Sequence, residues 1–120
     1  MTVGEMKIKT KSIQKLASID MPITAAWKVQ KNLSMIEPHY TIAENLRNDL
    51  IRKHGKDDGT GNISVTDPED QKLVLQELNN LDNTILEDEI NFNKISLKEL
   101  DGIKISPADL FILSDMITEE

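Results

Sequence analysis

Across residues 22–54, the apolar residues Ala26, Val29, Leu33, Ile36, Tyr40, Ala43, Leu46 and Leu50 recur at steps of three and four. That spacing puts them on one stripe of an amphipathic helix, and the run is long enough for roughly eight to nine turns. Everything else in the chain has to pack along this stripe. Pro38 interrupts the run, and a proline inside a helix removes one ladder bond and crowds the preceding turn. The sequence therefore predicts a kink, or two helices meeting near Glu37. Gly55 marks the end, preceded by Arg52, Lys53 and His54, whose charge suits the negative end of a helix.

Two further helices announce themselves by their starts. In "DPED" Asp67 is the cap and Pro68 the first helical residue, with Val74, Leu78, Leu81 and Ile85 as the inward stripe. "SPAD", Ser106–Asp109, repeats the pattern, with Leu110, Leu113 and Ile117 inward. Near the N-terminus, Met6, Ile8, Ile13, Leu16 and Ile19 suggest a short strand at "MKIK" and a helix from Ser12, while Asp20 and Pro22 mark the entry to the long helix. Later, "EINFNKISL" alternates Ile90 and Phe92 with polar neighbours, as a half-buried strand does. "SLKE", Ser96–Glu99, has the capping-box pattern, and "DGIKIS" reads as a turn and a second strand. The expected fold is mainly α with a small β element (α+β), in one domain spanning 1–120. A long kinked helix packs against two shorter helices and a short late hairpin.

Charge is unevenly distributed. Residues 1–56 hold ten Lys/Arg against five Asp/Glu, and residues 57–120 hold four against sixteen, giving about +5 and −12 within a total of −7. Four readings are open at this stage: pairing within the molecule, self-association, an acidic face that meets a basic partner, or acids clustered at helix starts and loops for solubility. No basic patch is interleaved with aromatic residues, so nucleic acid is not an expected partner. With no cysteine, disulfides and thiolate chemistry are excluded. The first twenty residues carry lysines and no unbroken apolar stretch, which predicts neither signal peptide nor membrane span. The expected location is the cytoplasm.

Spacing decides among the candidate sites. Asp58, Thr60, Asn62 and Glu69 fall at positions 1, 3, 5 and 12 of a calcium loop, but the sixth position, which needs glycine, is Ile63. Starting at Asp57 instead puts Gly59 at a ligand position and Pro68 at the twelfth. The segment reads as a glycine-rich turn. His39 and His54 lack a partner at helical spacing for metal or acid–base work. No nucleophile elbow or phosphate-binding loop is present. An enzymatic reading would need scattered acids such as Glu87, Asp88 and Asp115; no catalytic residue, metal or cofactor is expected. Trp27 lies one residue off the stripe, either as an interface anchor or at the core edge. The segment Glu87, Asp88, Glu89, Asn91, Phe92 and Asn93, where acids lead into a strand with a free edge, is the expected partner-binding site.

The "MKIK" start, the long helix ending at "KHG", the "DDGTGNISV" turn and above all "ISLKELDGIKISPADLFILSDMITEE" resemble a family of small proteins from phages of Gram-positive bacteria. The likeness runs from Met6 to Glu120. It implies a protein without enzymatic activity that works by binding, similar in size and acidity to phage inhibitors of a bacterial defence-associated sirtuin, an NAD-depleting enzyme. The expected function is counter-defence in the host cytoplasm by steric inhibition of a host defence protein with a basic surface. The alternative is a morphogenesis accessory protein or assembly chaperone.

Overall fold

A computed structural model describes residues 1–119. Its first helix, α1, spans Val3–Ala17 and includes the whole "MKIK" segment, so the strand expected there does not form. The reason lies in "TVGE". Thr2 Oγ1 accepts the Glu5 N–H at 3.1 Å and Glu5 Oε1 accepts the Thr2 N–H at 3.2 Å, a capping box that satisfies two of the donors a helix start leaves orphaned. Val3, Met6, Thr10, Ile13 and Leu16 then repeat at three- and four-residue steps and are all buried. Met6 and Ile8 alternate over too short a stretch to compete, and Ile8 ends up 55% exposed.

The second helix, α2, is the long one. It runs unbroken over Ile23–His54, 32 residues, or about 48 Å at ~1.5 Å per residue, which accounts for most of the 53 Å long dimension. Asp20 does not cap it; Pro22 holds that position. Pro38 lies on the exposed side, so the carbonyl its missing N–H leaves unpaired faces water, while Ile36 and Ala43 anchor the helix to the core on both sides of it. The buried line begins one residue earlier than the sequence suggests. Ala25, Val29, Asn32, Ile36 and Ala43 are buried, and Leu46 stays exposed. The helix stops at Gly55, where a Cβ would lie 2.5 Å from both the Ile51 carbonyl oxygen and Ile63 Cγ2.

That close approach admits a small antiparallel hairpin of β1, Lys56–Asp57, and β2, Ile63–Ser64. Its loop turns at Gly59 and Gly61, both at positive φ. Helix α3, Pro68–Asp82, starts as expected: Asp67 Oδ1 accepts the N–H of Glu69 at 2.8 Å and of Asp70 at 3.3 Å. Val74 is its buried residue; Ile85 lies beyond the helix end, exposed, in an isolated bridge with Thr2.

The late β element differs from the expected hairpin. "EINFN" is irregular, and only Ile95–Ser96 forms a strand, β3. "GIKIS" is not its partner. After α4, Pro107–Ile112, capped by Ser106, and a 3-10 turn at Ser114–Met116, strand β4, Ile117–Thr118, lies parallel to β3 with Ile95 opposite Ile117. Between them "SLKE" makes its capping box, Ser96 Oγ accepting the Glu99 N–H at 3.2 Å. The fold is mainly α with a small β element, as the sequence predicts. Its main core joins Met6, Ile13 and Leu16 of α1 and Val29 and Ile36 of α2 to Ile95, Leu100, Leu113 and Met116. Fully burying each such side chain is worth ~1.5–3 kcal/mol.

Candidate partner-binding surface

The chain from Leu86 to Lys94 has no ladder of its own, yet it is tied down at both ends. At one end the Leu86 N–H donates to the Met1 carbonyl at 2.9 Å. At the other, the side chain of Asn32, fully buried on α2, takes the place of a strand partner. Its Oδ1 accepts the Asn93 N–H at 2.7 Å and its Nδ2 donates to the Asn93 carbonyl at 3.0 Å. A buried amide has to find such partners or destabilise the fold. Between the two ties, the Lys9 ammonium lies 5.6 Å from the Phe92 ring centre and 2.6 Å from Asp115 Oδ2, an arrangement that combines a cation–π contact with an ion pair. Lys94 Nζ donates to the Asp115 carbonyl.

Of the six residues expected to bind a partner, two therefore work inside the molecule. Phe92 is half-buried against the core, and Asn93 is the backbone that Asn32 grips. Glu87, Asp88, Glu89 and Asn91 are exposed. The free strand edge expected here is absent, because this segment's backbone is not in a strand. The acids are presented by a looping segment held at its ends. Asn32 had a legible signal that the sequence reading missed: an amide at a buried stripe position, three residues after Val29 and four before Ile36.

Part of the charge asymmetry is taken up by pairing within the molecule. Lys7 meets Asp82 at 3.6 Å, Lys9 meets Asp115, Lys15 meets Asp109 at 3.6 Å and Lys28 meets Glu99 at 2.7 Å, in each case a base of the first half with an acid of the second. Hydrogen bonding from Lys28 holds the Glu99 carboxyl below its ordinary pKa, and the Ser12 and Ser106 hydroxyls do the same for Asp109. Among the described residues, Glu87, Asp88 and Glu89 take part in no such pair. Asp57, Asp58, Asp67, Glu69, Glu77 and Asp101 are likewise outside these pairs; Glu87–Glu89 stand out as three such acids in succession.

The remaining candidates fall into place around this. His54 Nδ1 lies 3.4 Å from Asp70 Oδ1, joining the end of α2 to the start of α3. In the glycine-rich turn, Asp58 Oδ1 accepts from the Thr60 N–H at 2.9 Å and hydroxyl at 2.5 Å; these bonds lower the Asp58 pKa. Among the described residues, no group of three or more His, Asp or Glu is placed to hold a metal ion. Asp115, one of the scattered acids an enzyme would need, is engaged by Lys9. Trp27 is 64% exposed with the Lys31 ammonium 5.1 Å from its ring centre, so it does not complete the core edge. No helix among the described residues is long and apolar enough to cross a membrane. No family model, curated protein or solved structure matches the chain.

Proposed function

We propose that this chain is a binding protein whose exposed acids at Glu87, Asp88 and Glu89 dock on a basic surface of a protein partner. In keeping with its resemblance to phage proteins, the partner is a host antiviral immune protein, such as an NAD-depleting sirtuin-type enzyme, held inactive by steric cover. One observation carries the reading. Three consecutive carboxylates are exposed and outside every ion pair of the described residues, on a segment fixed at both ends. Such a patch raises the encounter rate with a cationic surface and orients the complex, while pre-fixing the segment lowers the ordering cost of binding.

The test is a reversal of all three charges to lysine. The variant should fold like the wild type, lose co-elution with the purified defence enzyme, and no longer protect phage in hosts that carry the defence. Deleting the gene should cost the phage nothing in hosts that lack it. Loss of infectivity in those hosts, or copurification with assembly intermediates alone, would instead make this a morphogenesis factor.

A further inference from the structure

We infer that the exposed turn at Asp101–Gly102 is a site of spontaneous backbone modification, where the aspartate closes to a succinimide and reopens as isoaspartate, while the same dipeptide at Asp58–Gly59 is protected by its hydrogen bonds. Asp–Gly occurs at these two places in the chain, and Asn–Gly does not occur. Glycine matters because it leaves the attacking amide unshielded by a Cβ.

The reaction needs two free groups. The Gly102 nitrogen, its proton lost to solvent base, attacks Cγ of the protonated Asp101 carboxyl; an N–Cγ bond forms, a C–O bond breaks and one water leaves. Water then adds back to the ring. Opening at Cγ restores aspartate, whereas opening at the main-chain carbonyl leaves the chain running through Cβ and Cγ, with the α-carboxylate as the side group. At Asp58–Gly59 both reacting groups are occupied. The Gly59 N–H donates to Asp57 Oδ1 at 2.8 Å, and Asp58 Oδ1 accepts from the Thr60 N–H and hydroxyl. Bonds of that kind favour the ionised carboxylate, which is a poor electrophile. At Asp101–Gly102 neither group is held. Among the described residues nothing donates to the Asp101 carboxylate, and the Gly102 N–H meets no acceptor. Both residues are exposed, and the space beside Gly102 is open.

The turn is closed by the Ile103 N–H donating to the Leu100 carbonyl at 3.0 Å, with Gly102 at φ +78° in the position where a type II turn takes glycine. Isoaspartate lengthens the main chain by one methylene inside this turn. Leu100 is buried and Ile103 packs on the core, so the added length has to loosen one of them.

The test holds the purified full-length protein at physiological temperature and neutral pH in heavy-oxygen water, folded and in urea, with peptide mass spectrometry over several weeks. In the folded protein, the peptide containing Asp101 should gain heavy oxygen and isoaspartate several-fold faster than the one containing Asp58. In urea the two rates should converge. Asp57→Ala with Thr60→Ala should speed the reaction at Asp58 in the folded protein, and Asp101→Glu, which would need a larger ring, should stop it at residue 101. The isoaspartate form, separated by chromatography, should unfold at lower urea and lose protection of the Ile103 amide. Equal rates in the folded protein, or a faster reaction at Asp58, overturns the proposal. So does a difference that persists undiminished in urea, which would assign it to the flanking sequence, and so does isoaspartate without heavy oxygen, which would exclude the succinimide.

Discussion

Replacing Asn32 by leucine isolates the tie that holds the acidic segment in place. Leucine keeps most of the buried volume on α2 but removes the acceptor of the Asn93 N–H at 2.7 Å and the donor to its carbonyl at 3.0 Å. A net hydrogen bond is worth ~0.5–1.5 kcal/mol, and a buried group left without one costs ~1–3 kcal/mol. The Asn93 side chain is exposed, so water can reach its backbone once the segment loosens, and the larger penalty is not incurred in full. Against the loss stands the transfer gain of a buried leucine. The balance is a destabilisation of about 2 kcal/mol, or about 8 °C in Tm for a domain of this size. The assay is urea unfolding together with amide hydrogen exchange. The Asn93 amide should lose protection well beyond the global change, while the amides of Val29 and Ile36 on the same helix follow the global change alone. A leucine variant as stable as the wild type, with the Asn93 amide still protected, would refute the claim that Asn32 anchors the segment.

Other substitutions probe the remaining arguments. Pro38→Ala restores a missing ladder bond on the exposed face of α2 and should raise stability by about 1–3 kcal/mol; an unchanged urea midpoint would mean that the helix has already adapted to the proline. Gly55→Ala puts a methyl 2.5 Å from the Ile51 carbonyl oxygen and Ile63 Cγ2 and should cost about 1–3 kcal/mol, seen as a lower midpoint with loss of the β1–β2 cross-strand signals. For Glu99 and Asp109 the folded pKa lies below the ordinary values of 4.5 and 3.8. Their stabilisation is therefore complete above those values and is lost as pH falls through the lower folded ones. Midpoints measured across that acid range should drop less steeply in Glu99→Gln and Asp109→Asn than in the wild type.

Legibility in the sequence followed the range of the interactions. Helix α2, the Asp67 and Ser106 caps, the Gly55 stop and the "SLKE" turn rest on neighbours within a few residues, and each appears where the sequence puts it. The first helix failed for a local reason, a capping box read past in favour of a brief alternation at "MKIK". The late β element failed for a non-local one. Ile90 and Phe92 do turn inward, as their alternation implies, but they pack on the core without a strand partner, because Asn32 of α2 takes the bonds of Asn93. Nothing within "EINFN" encodes that. Of the binding segment, its acidic exposure was legible from composition, and its anchoring was not.

Because the proposed surface is assembled from distant parts of the chain, its shape is set by the core rather than by the residues that would touch a partner. Residue 93 is held from α2, Phe92 is covered by Lys9 of α1, and Lys9 and Lys94 both engage Asp115 in the 3-10 turn that precedes β4. Asp115→Asn therefore perturbs the support of the acidic segment, while Glu87→Lys changes the charge the segment presents. Removing the Lys9 ion pair by Asp115→Asn should cost about 1 kcal/mol or less of stability, since Asp115 is exposed. Its effect on partner binding should nonetheless exceed what one exposed charge explains, because it frees Lys9, which lies over the Phe92 ring. Measured affinities for the two single variants and the double variant decide the matter. Coupling between Asp115→Asn and Glu87→Lys is the pattern this architecture requires. Additive effects would mean that the acidic segment and its support from α1 are mechanically independent.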